Sequence, residues 1–426
     1  MKKILMSFIL CALVFQSVFL TAGNKVKIVK QENRYKLLVN DKETFIYGAG
    51  CGLGTGREKE DYLLMAKEMG ANCVRTWGID QGTREYLDRA RELGLWVSAG
   101  LWLNPVYENK KCSYITDTEY RTNVRKEVLD YIRQYKDHPA ILFWNVGNEV
   151  FAFTRDVPEK EAFAVFLNGL IKDIKKIDQG HPVLYTSAGT AGLDYIIRSV
   201  PELDIFGMNL YGGISHSFYQ CKKKNLNRPV LITEFGITFT WDCMKDINQL
   251  AVEPPDQAKA ALFRNRYREI IRYKDDCIGV FAFHLGETTQ DSLTWWNFNF
   301  KKYRLAGWYE LRKLYTGQKN ISLPVIKTLK VSKQKNLLPG EWIDASVELD
   351  NTNPDQFQYQ YFCSTTRMNI YQYYVNTNIG INVKGSGKKV RIQVPEKAGL
   401  YRLHVLVHDQ NTNGAVQNVS LKVKKK

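Results

Sequence analysis

A unit made of one helix, a glycine and one short hydrophobic strand recurs along the first two thirds of the sequence. In two successive copies, apolar residues at helical spacing end at Gly70 and at Gly94 and lead into strands at 72–77 and 95–102. Eight such strands begin near residues 45, 72, 95, 140, 183, 203, 229 and 278. Strands alternating with helices over about 290 residues predict a closed (β/α)8 TIM barrel, with a doubly wound open sheet as the alternative.

The pattern changes near residue 321, where helical spacing gives way to short alternating runs. Apolar residues alternate with polar ones at 343–349, 390–394 and 401–407, and Asn413-Gly414 before another run indicates a hairpin. Roughly 100 residues of this kind predict a C-terminal immunoglobulin-like β-sandwich. We therefore expect a barrel over 24–320 and a sandwich over 321–426, the latter serving as a packing or spacer domain or as a sugar-binding module.

The first residues have the pattern of a secretory signal peptide over 1–23. Lys2 and Lys3 precede an uncharged apolar run at 4–20, which ends in small residues. An uncleaved membrane anchor is the alternative interpretation. In either case we expect the rest of the chain to work outside the cytoplasm, as a secreted, periplasmic or cell-surface protein, with no integral membrane domain after cleavage of the signal.

The net charge and the cysteine spacing argue against several classes of protein. Removing the signal peptide leaves 58 basic against 44 acidic residues, a net charge of +14. A basic surface favours anionic partners, but no stripe of Lys and Arg interleaved with aromatic residues occurs, so nucleic acid is not expected. The eight cysteines contain no CxxC pair, which argues against a zinc ribbon or a disulfide scaffold. One disulfide among Cys112, Cys221 and Cys243 is compatible with the sequence, which does not show which two would pair.

Motifs for cofactors are missing from the sequence. The glycine-dense segment 48–56 lacks the G-x-G-x-x-G spacing, and no G-K-[ST] follows it, so it predicts a loop after the first strand. The six histidines include no H-x-H or H-E-x-x-H pattern, which makes a metal-dependent barrel hydrolase the weaker alternative. We expect neither a cofactor nor a metal.

Two glutamates follow predicted barrel strands directly. Glu149 ends the fourth strand in Trp144-Asn-Val-Gly-Asn148-Glu149, and Glu234 ends the seventh in Thr233-Glu234-Phe-Gly. A carboxylate at the end of a buried strand is costly unless it is hydrogen-bonded or used. Because the carboxyl ends of barrel strands meet at one mouth, two facing carboxylates there are suited to glycosidic bond cleavage.

This ordered pair of motifs resembles the acid/base and nucleophile motifs of the retaining glycoside hydrolases of clan A, and the segment 35–45 resembles the barrel start in family 2. The resemblance implies that Glu149 is the general acid/base, that Glu234 is the nucleophile, and that Asn148 donates a hydrogen bond to the sugar 2-hydroxyl. Family 2 enzymes usually carry sandwich domains before the barrel. In this sequence the predicted barrel comes almost first and one predicted sandwich follows it. This order of domains favours a smaller clan family such as the endo-β-1,3-glucanases.

The resemblance extends to other strand ends. Arg75 matches the arginine that keeps the nucleophile charged, and Tyr211 matches the tyrosine that hydrogen-bonds it; a surface ion pair and a core aromatic are the respective alternatives. On the eighth strand His284 stands where the clan commonly has a tryptophan under the sugar, unless it is an ordinary packed histidine. Trp295 and Trp296, from the following loop, are then predicted to form the sugar platform.

Trp77 and Trp102, at strand ends, are further predicted sugar contacts, whereas Trp96 and Trp144 are expected to face the core. Together these features predict a secreted retaining β-glycoside hydrolase that cleaves a β-linked oligosaccharide or polysaccharide, with β-1,3-glucan and mannan among the candidates. The alternative is a catalytically inactive barrel that binds glycan at the cell surface. Sugar identity, linkage, endo or exo action and oligomeric state stay open.

Overall fold

The computed structural model describes residues 23–53, 60–107, 112–319, 321–350, 356–368 and 374–425. All but the last residue of the predicted signal peptide lies outside the described residues, as do Gly54 and Gly56 of the glycine-dense segment. Among the described residues, no helix has the length and apolar character needed to cross a membrane.

A small antiparallel sheet precedes the barrel and covers one of its ends. Its strands are β1 (Val26–Gln31), β2 (Arg34–Val39) and β3 (Lys42–Thr44), paired in that order. Leu37 and Val39 are buried in one cluster with Leu142, Phe143 and other residues from the first halves of the barrel strands. The sheet therefore seals the amino-terminal end of the barrel, opposite the ends at which the predicted site residues lie.

Eight parallel strands close into a barrel. They are β4 (Ile46–Cys51), β5 (Cys73–Arg75), β6 (Trp96–Leu101), β7 (Ile141–Asn148), β8 (Val183–Ala188), β9 (Ile205–Leu210), β10 (Val230–Phe235) and β11 (Cys277–Leu285). The last strand pairs with the first through Gly279 and Ile46, which closes the ring. The predicted TIM barrel is confirmed, and the open-sheet alternative is wrong.

Nine helices accompany the strands in the described part of the chain. They are α1 (Tyr62–Glu68), α2 (Thr83–Glu92), α3 (Thr118–Tyr135), α4 (Val150–Phe153), α5 (Val157–Ile177), α6 (Leu193–Ser199), α7 (Ile214–Lys223), α8 (Asp256–Ile271) and α9 (Ala306–Thr316). Asp61 and Asp117 accept hydrogen bonds from backbone N–H groups in the first turns of α1 and α3, as N-cap residues do. Gly70 and Gly94 have φ of 89° and 65°, the left-handed conformation that ends a helix.

A two-stranded antiparallel sheet of β12 (Asn299–Phe300) and β13 (Tyr303–Arg304) follows the barrel strands along the chain, and the C-terminal region then forms two four-stranded antiparallel sheets. One has the order β14 (Ile326–Val331), β15 (Trp342–Leu349), β19 (Lys389–Gln393), β18 (Val383–Lys384); the other has β17 (Tyr374–Ile379), β16 (Gln358–Met368), β20 (Gly399–His408), β21 (Gly414–Val423). Ile343 and Ile392 of the first sheet share a buried cluster with Leu403 and Leu421 of the second. This two-layer arrangement is consistent with the predicted sandwich, and the hairpin at Asn413-Gly414 is confirmed by the pairing of β20 with β21.

A buried polar cluster joins the barrel to the sandwich. Glu253, just before α8, accepts hydrogen bonds from Lys259 at 2.5 Å, from Thr294 at 2.8 Å and from Asn418 of β21 at 2.5 Å. Burial by itself would raise the pKa of Glu253, but the charge of Lys259 and the hydrogen bonds from Lys259 and Ser292 lower it to about 2. The loop that follows β10 is therefore held against the sandwich by a charged, fully hydrogen-bonded contact.

The seven cysteines that follow Cys11 are all described, and no disulfide forms among them. Cys112, Cys221 and Cys243 are therefore not joined to one another. Within the described ranges, no group of three or more His, Cys, Asp or Glu residues is placed to hold a metal ion.

Candidate active site

Glu234 lies near the end of β10 and is only 7% exposed. Its Oε1 accepts hydrogen bonds from Arg75 Nη1 at 2.6 Å and from Trp77 Nε1 at 3.0 Å, and its Oε2 accepts one from the Tyr211 hydroxyl at 2.7 Å. A buried carboxylate needs such partners for both oxygens. The side chain is consequently fixed in one orientation, with three predicted site residues around it.

Arg75 ties three barrel strands together beneath this carboxylate. It is fully buried at the end of β5, and besides Glu234 it donates to the Thr233 carbonyl at 3.1 Å and to Asn148 Oδ1 at 2.7 Å. Its guanidinium also lies 4.9 Å from the ring of Trp77. The alternative of a surface ion pair for Arg75 is wrong, because the side chain has no exposed area.

Glu149 stands at the carboxyl end of β7 in a backbone conformation that is uncommon for its type. Its φ is 56°, in the left-handed region, and its amide donates to the Thr186 carbonyl at 2.8 Å. Asn209 Nδ2 donates to Glu149 Oε1 at 2.7 Å and lies 3.4 Å from Asn148 Oδ1. Polar contacts therefore run without interruption from Glu149 to the partners of Glu234.

The two carboxyl groups have different electrostatic surroundings. Burial, followed by the negative charge of Glu234, raises the pKa of Glu149 to about 7, against the smaller opposing effects of Asn209 and Arg75. Glu234 faces the Arg75 guanidinium directly and has two further donors. A carboxyl group whose pKa is raised to about 7, beside a second carboxyl group paired with a guanidinium, fits the division between acid/base and nucleophile.

Asn209 is a site residue that sequence reasoning missed. Its amide holds Glu149, and its Oδ1 accepts a hydrogen bond from the Thr233 hydroxyl at 2.8 Å. A signal for it existed, because residues two apart on a strand share a face and Asn209 precedes the predicted Tyr211 by two positions. It orients Glu149 from β9, the neighbour of the strand that carries Glu234.

Trp77 and Trp102 lie at the barrel mouth in different settings. Trp77 is half-buried, with its ring edge against Phe283 at 5.7 Å and its indole N–H on Glu234. Trp102 follows β6, is 45% exposed, and donates to Asn104 Oδ1 at 2.9 Å. The fully buried Trp144 faces the core as expected. Sugar contact by Trp77 and Trp102 stays a prediction.

The loop after β11 differs from expectation. Trp295 and Trp296 are buried. The Trp295 indole N–H donates a hydrogen bond to the Thr238 carbonyl, and the Trp296 indole N–H donates one to Asp291. The prediction that they form an open sugar platform is corrected, because neither ring has a free face. Trp296 instead packs edge-on against Tyr211 at 5.3 Å. His284 is half-buried beside Trp77, and burial lowers its pKa. Contact between His284 and the sugar stays a prediction.

Comparison with known proteins gives a family match and distant relatives. The sequence model for "Glycosyl hydrolases family 2, TIM barrel domain" matches residues 35–267, just over half of the chain. A beta-glucuronidase of Bacteroides fragilis is 27% identical over 154 residues, which cover 35% of this chain and 21% of that protein. Human beta-glucuronidase is 22% identical over 228 residues, which cover 47% of this chain and 32% of that protein.

A solved structure shares the fold. The Bacteroides uniformis beta-glucuronidase 2 covalently bound to cyclophellitol-6-carboxylate aziridine superimposes with a TM-score of 0.52 and 13% identity, over 94% of this chain and 48% of that one. The matched parts therefore span about a fifth to a third of the curated relatives and about half of the solved structure.

Proposed function

The chain belongs to glycosyl hydrolase family 2, and from that premise we propose that it is a retaining β-glycoside hydrolase acting on a β-linked glycan. The leaning towards an endo-β-1,3-glucanase-like family was wrong, because it used the domain layout, whereas residues 35–267 match family 2. The observation that carries the proposal is that Glu149 and Glu234, at the barrel mouth, have different electrostatic surroundings. Glu149 has a pKa raised to about 7, and Glu234 is bound by a buried arginine.

The roles of the two carboxyl groups follow from their surroundings. The Glu234 carboxylate attacks the anomeric carbon while Glu149 gives its proton to the departing glycosidic oxygen, so that a covalent sugar ester replaces the cleaved bond. Glu149, now ionised, then takes a proton from water, and this water attacks the same carbon and releases Glu234. Arg75, Trp77 and Tyr211 keep the attacking oxygens in one place.

The alternative of an inactive glycan-binding barrel has no observation in its favour, since both carboxyl groups and their donors are in position. For the sugar that is cleaved, the names of the relatives add β-glucuronides to β-1,3-glucan and mannan as candidates. The predicted signal peptide supports secretion or a cell-surface location. These assignments are part of the proposal.

The C-terminal sandwich fits an immunoglobulin-like fold in its strand order. If β14 to β21 are lettered A, B, C, C′, D, E, F and G, the two sheets are A-B-E-D and C′-C-F-G. Immunoglobulin-type domains divide their strands between ABED and CFG sheets. We assign the region to that class on this order.

Hydrolysis with a defined stereochemistry tests the proposed function. The full chain is incubated with aryl β-glucuronide, β-glucoside and β-mannoside and with β-1,3-glucan and β-mannan, and the first-formed sugar is followed by NMR. We expect turnover of at least one substrate with the β-anomer released first, because two displacements restore the configuration. Release of the α-anomer, or no turnover of any substrate in the panel, would refute the proposal.

The pH dependence of kcat/KM follows from the raised pKa of Glu149. We expect the value for a substrate with a poor leaving group to fall above about pH 7, because Glu149 must carry a proton to protonate the departing oxygen. With an activated aryl leaving group this alkaline decline becomes weaker. In Glu149→Gln the decline near pH 7 disappears along with most of the activity on the poor leaving group; its persistence in that variant would assign the titration to another residue.

A further inference from the structure

The loop between β10 and α8 carries an aromatic pair, of which Trp241 is exposed and Phe239 is half-buried. Trp241, in a short 3₁₀ turn at Thr240–Asp242, is 70% exposed and stacks on Phe239 with the ring centroids 4.2 Å apart and the planes at 11°. The stack covers one face of the indole, and the exposure leaves the other face open to solvent. Met244 and Ile247 of the same loop are also exposed, and contiguous exposed apolar surface marks binding sites.

This pair is continuous with the catalytic centre. The ring of Phe239 lies 4.7 Å from the ring of Tyr211, whose hydroxyl donates to Glu234. From the nucleophile outwards the rings therefore follow in the order Tyr211, Phe239, Trp241. Two ring-to-ring steps separate Trp241 from the residue that holds Glu234.

The loop holds Trp241 in place although the side chain is exposed. The Thr238 carbonyl accepts the Trp295 indole N–H at 3.1 Å, and further along Arg402 donates to the Ala251 carbonyl at 3.0 Å. Asn248 donates to Ser420 Oγ of the sandwich at 2.7 Å. Both halves of the loop are thus anchored, one to the barrel and the other to the sandwich. A rigid aromatic surface loses little conformational entropy when it binds a ligand.

Exposed aromatic side chains also lie at the other side of the mouth. Trp102 follows β6, and Phe153 is half-exposed at the end of α4, the helix that begins directly after Glu149. In the ring of eight strands, β6 lies opposite β10, and β7, which carries Glu149, is next to β6. Aromatic side chains therefore follow strands on both sides of the barrel mouth.

We propose that Trp241, supported by Phe239, is a sugar-binding subsite outside the cleavage position, and that the substrate is therefore a β-linked chain of several hexopyranose units. The apolar face of such a sugar ring stacks on an open indole, which offers a large rigid surface. The inference rests on the proposed function, since it assigns the kind of substrate that the carboxyl pair cleaves.

Chain-length dependence of binding tests the subsite. In the Glu149→Gln background, the affinity for β-1,3-gluco-, β-1,4-gluco- and β-1,4-manno-oligosaccharides of one to six units is measured by titration calorimetry. We expect affinity for at least one series to rise with length. Adding Trp241→Ala should weaken binding of the hexasaccharide about tenfold, with a loss that shrinks as the chain shortens, whereas Trp241→Phe should keep most of the affinity.

Met244→Ala is the matched control, because Met244 is an apolar side chain of the same loop and is 82% exposed, with no ring to stack on a sugar. An equal loss in Met244→Ala, an affinity independent of chain length, or an unaltered hexasaccharide affinity in Trp241→Ala would each overturn the subsite. Hydrolysis by the wild type separates the two proposals. Turnover without a Trp241 effect removes the subsite alone, whereas length-dependent binding through Trp241 without turnover removes only the enzymatic function.

Discussion

Glu234→Gln is expected to lower kcat on the best substrate by a factor of about 10⁴ or more. The amide can neither attack the anomeric carbon nor carry the charge that Arg75 faces. The fold should survive, because the Gln carbonyl oxygen can still accept from Arg75 and Trp77, and the Tyr211 hydroxyl can turn to accept from the amide. Steady-state kinetics together with circular dichroism measure both expectations.

Glu161→Gln is the matched control for this change. This variant carries the same Glu-to-Gln change at an exposed position. The Glu161 side chain is 57% accessible and pairs with Arg198 at 3.2 Å. Its kinetics should equal those of the wild type. A Glu234→Gln variant that turns over the substrate at the wild-type rate would show that the nucleophile has been wrongly assigned.

Arg75→Met is expected to reduce both stability and activity. Removing one partner of a buried ion pair leaves the other charge without compensation, which costs about 3–5 kcal/mol in the free energy of unfolding. Thr233 and Asn148 also lose their donor. Because Glu234 is then held by Tyr211 and Trp77 alone, we expect kcat to fall by a factor of about 100 or more. Urea denaturation at pH 7 and steady-state kinetics provide the two readings.

Arg198→Met supplies the comparison for Arg75, because Arg198 forms an exposed ion pair with Glu161. Surface pairs of this kind contribute about 0–1 kcal/mol, so its unfolding free energy should change little. In the double variant Arg75→Met with Glu234→Gln, the loss of stability should be smaller than the sum of the single losses, since the uncompensated charge is gone. Additive losses in that cycle would mean that the two side chains do not interact.

The barrel was predictable because its signal repeats. Each strand is buried on both faces and each helix on one, so apolar strands alternate with helices of apolar spacing along the chain, and Gly70 and Gly94 mark the ends of two of the helices. The sheet formed by β1 to β3 was not predicted as a cover for the barrel. Its alternating pattern is the same as that of any half-buried hairpin. Its apolar face packs against barrel strands that lie far along the sequence, so no local pattern indicates the contact.

The residues with catalytic potential could be read from the amino-acid sequence alone, because a carboxylate directly after a buried strand is energetically costly unless it is hydrogen-bonded or used. Glu149, Glu234, Arg75 and Tyr211 were found in this way and through the family resemblance, and the structure brings them together. Their catalytic roles stay predictions. Which aromatic rings are exposed to solvent could be learned only from the folded chain. Trp295 and Trp296 are covered and Trp241 is exposed because loop paths depend on contacts with Tyr211 and with the sandwich, which involve residues distant in the chain and leave no local pattern.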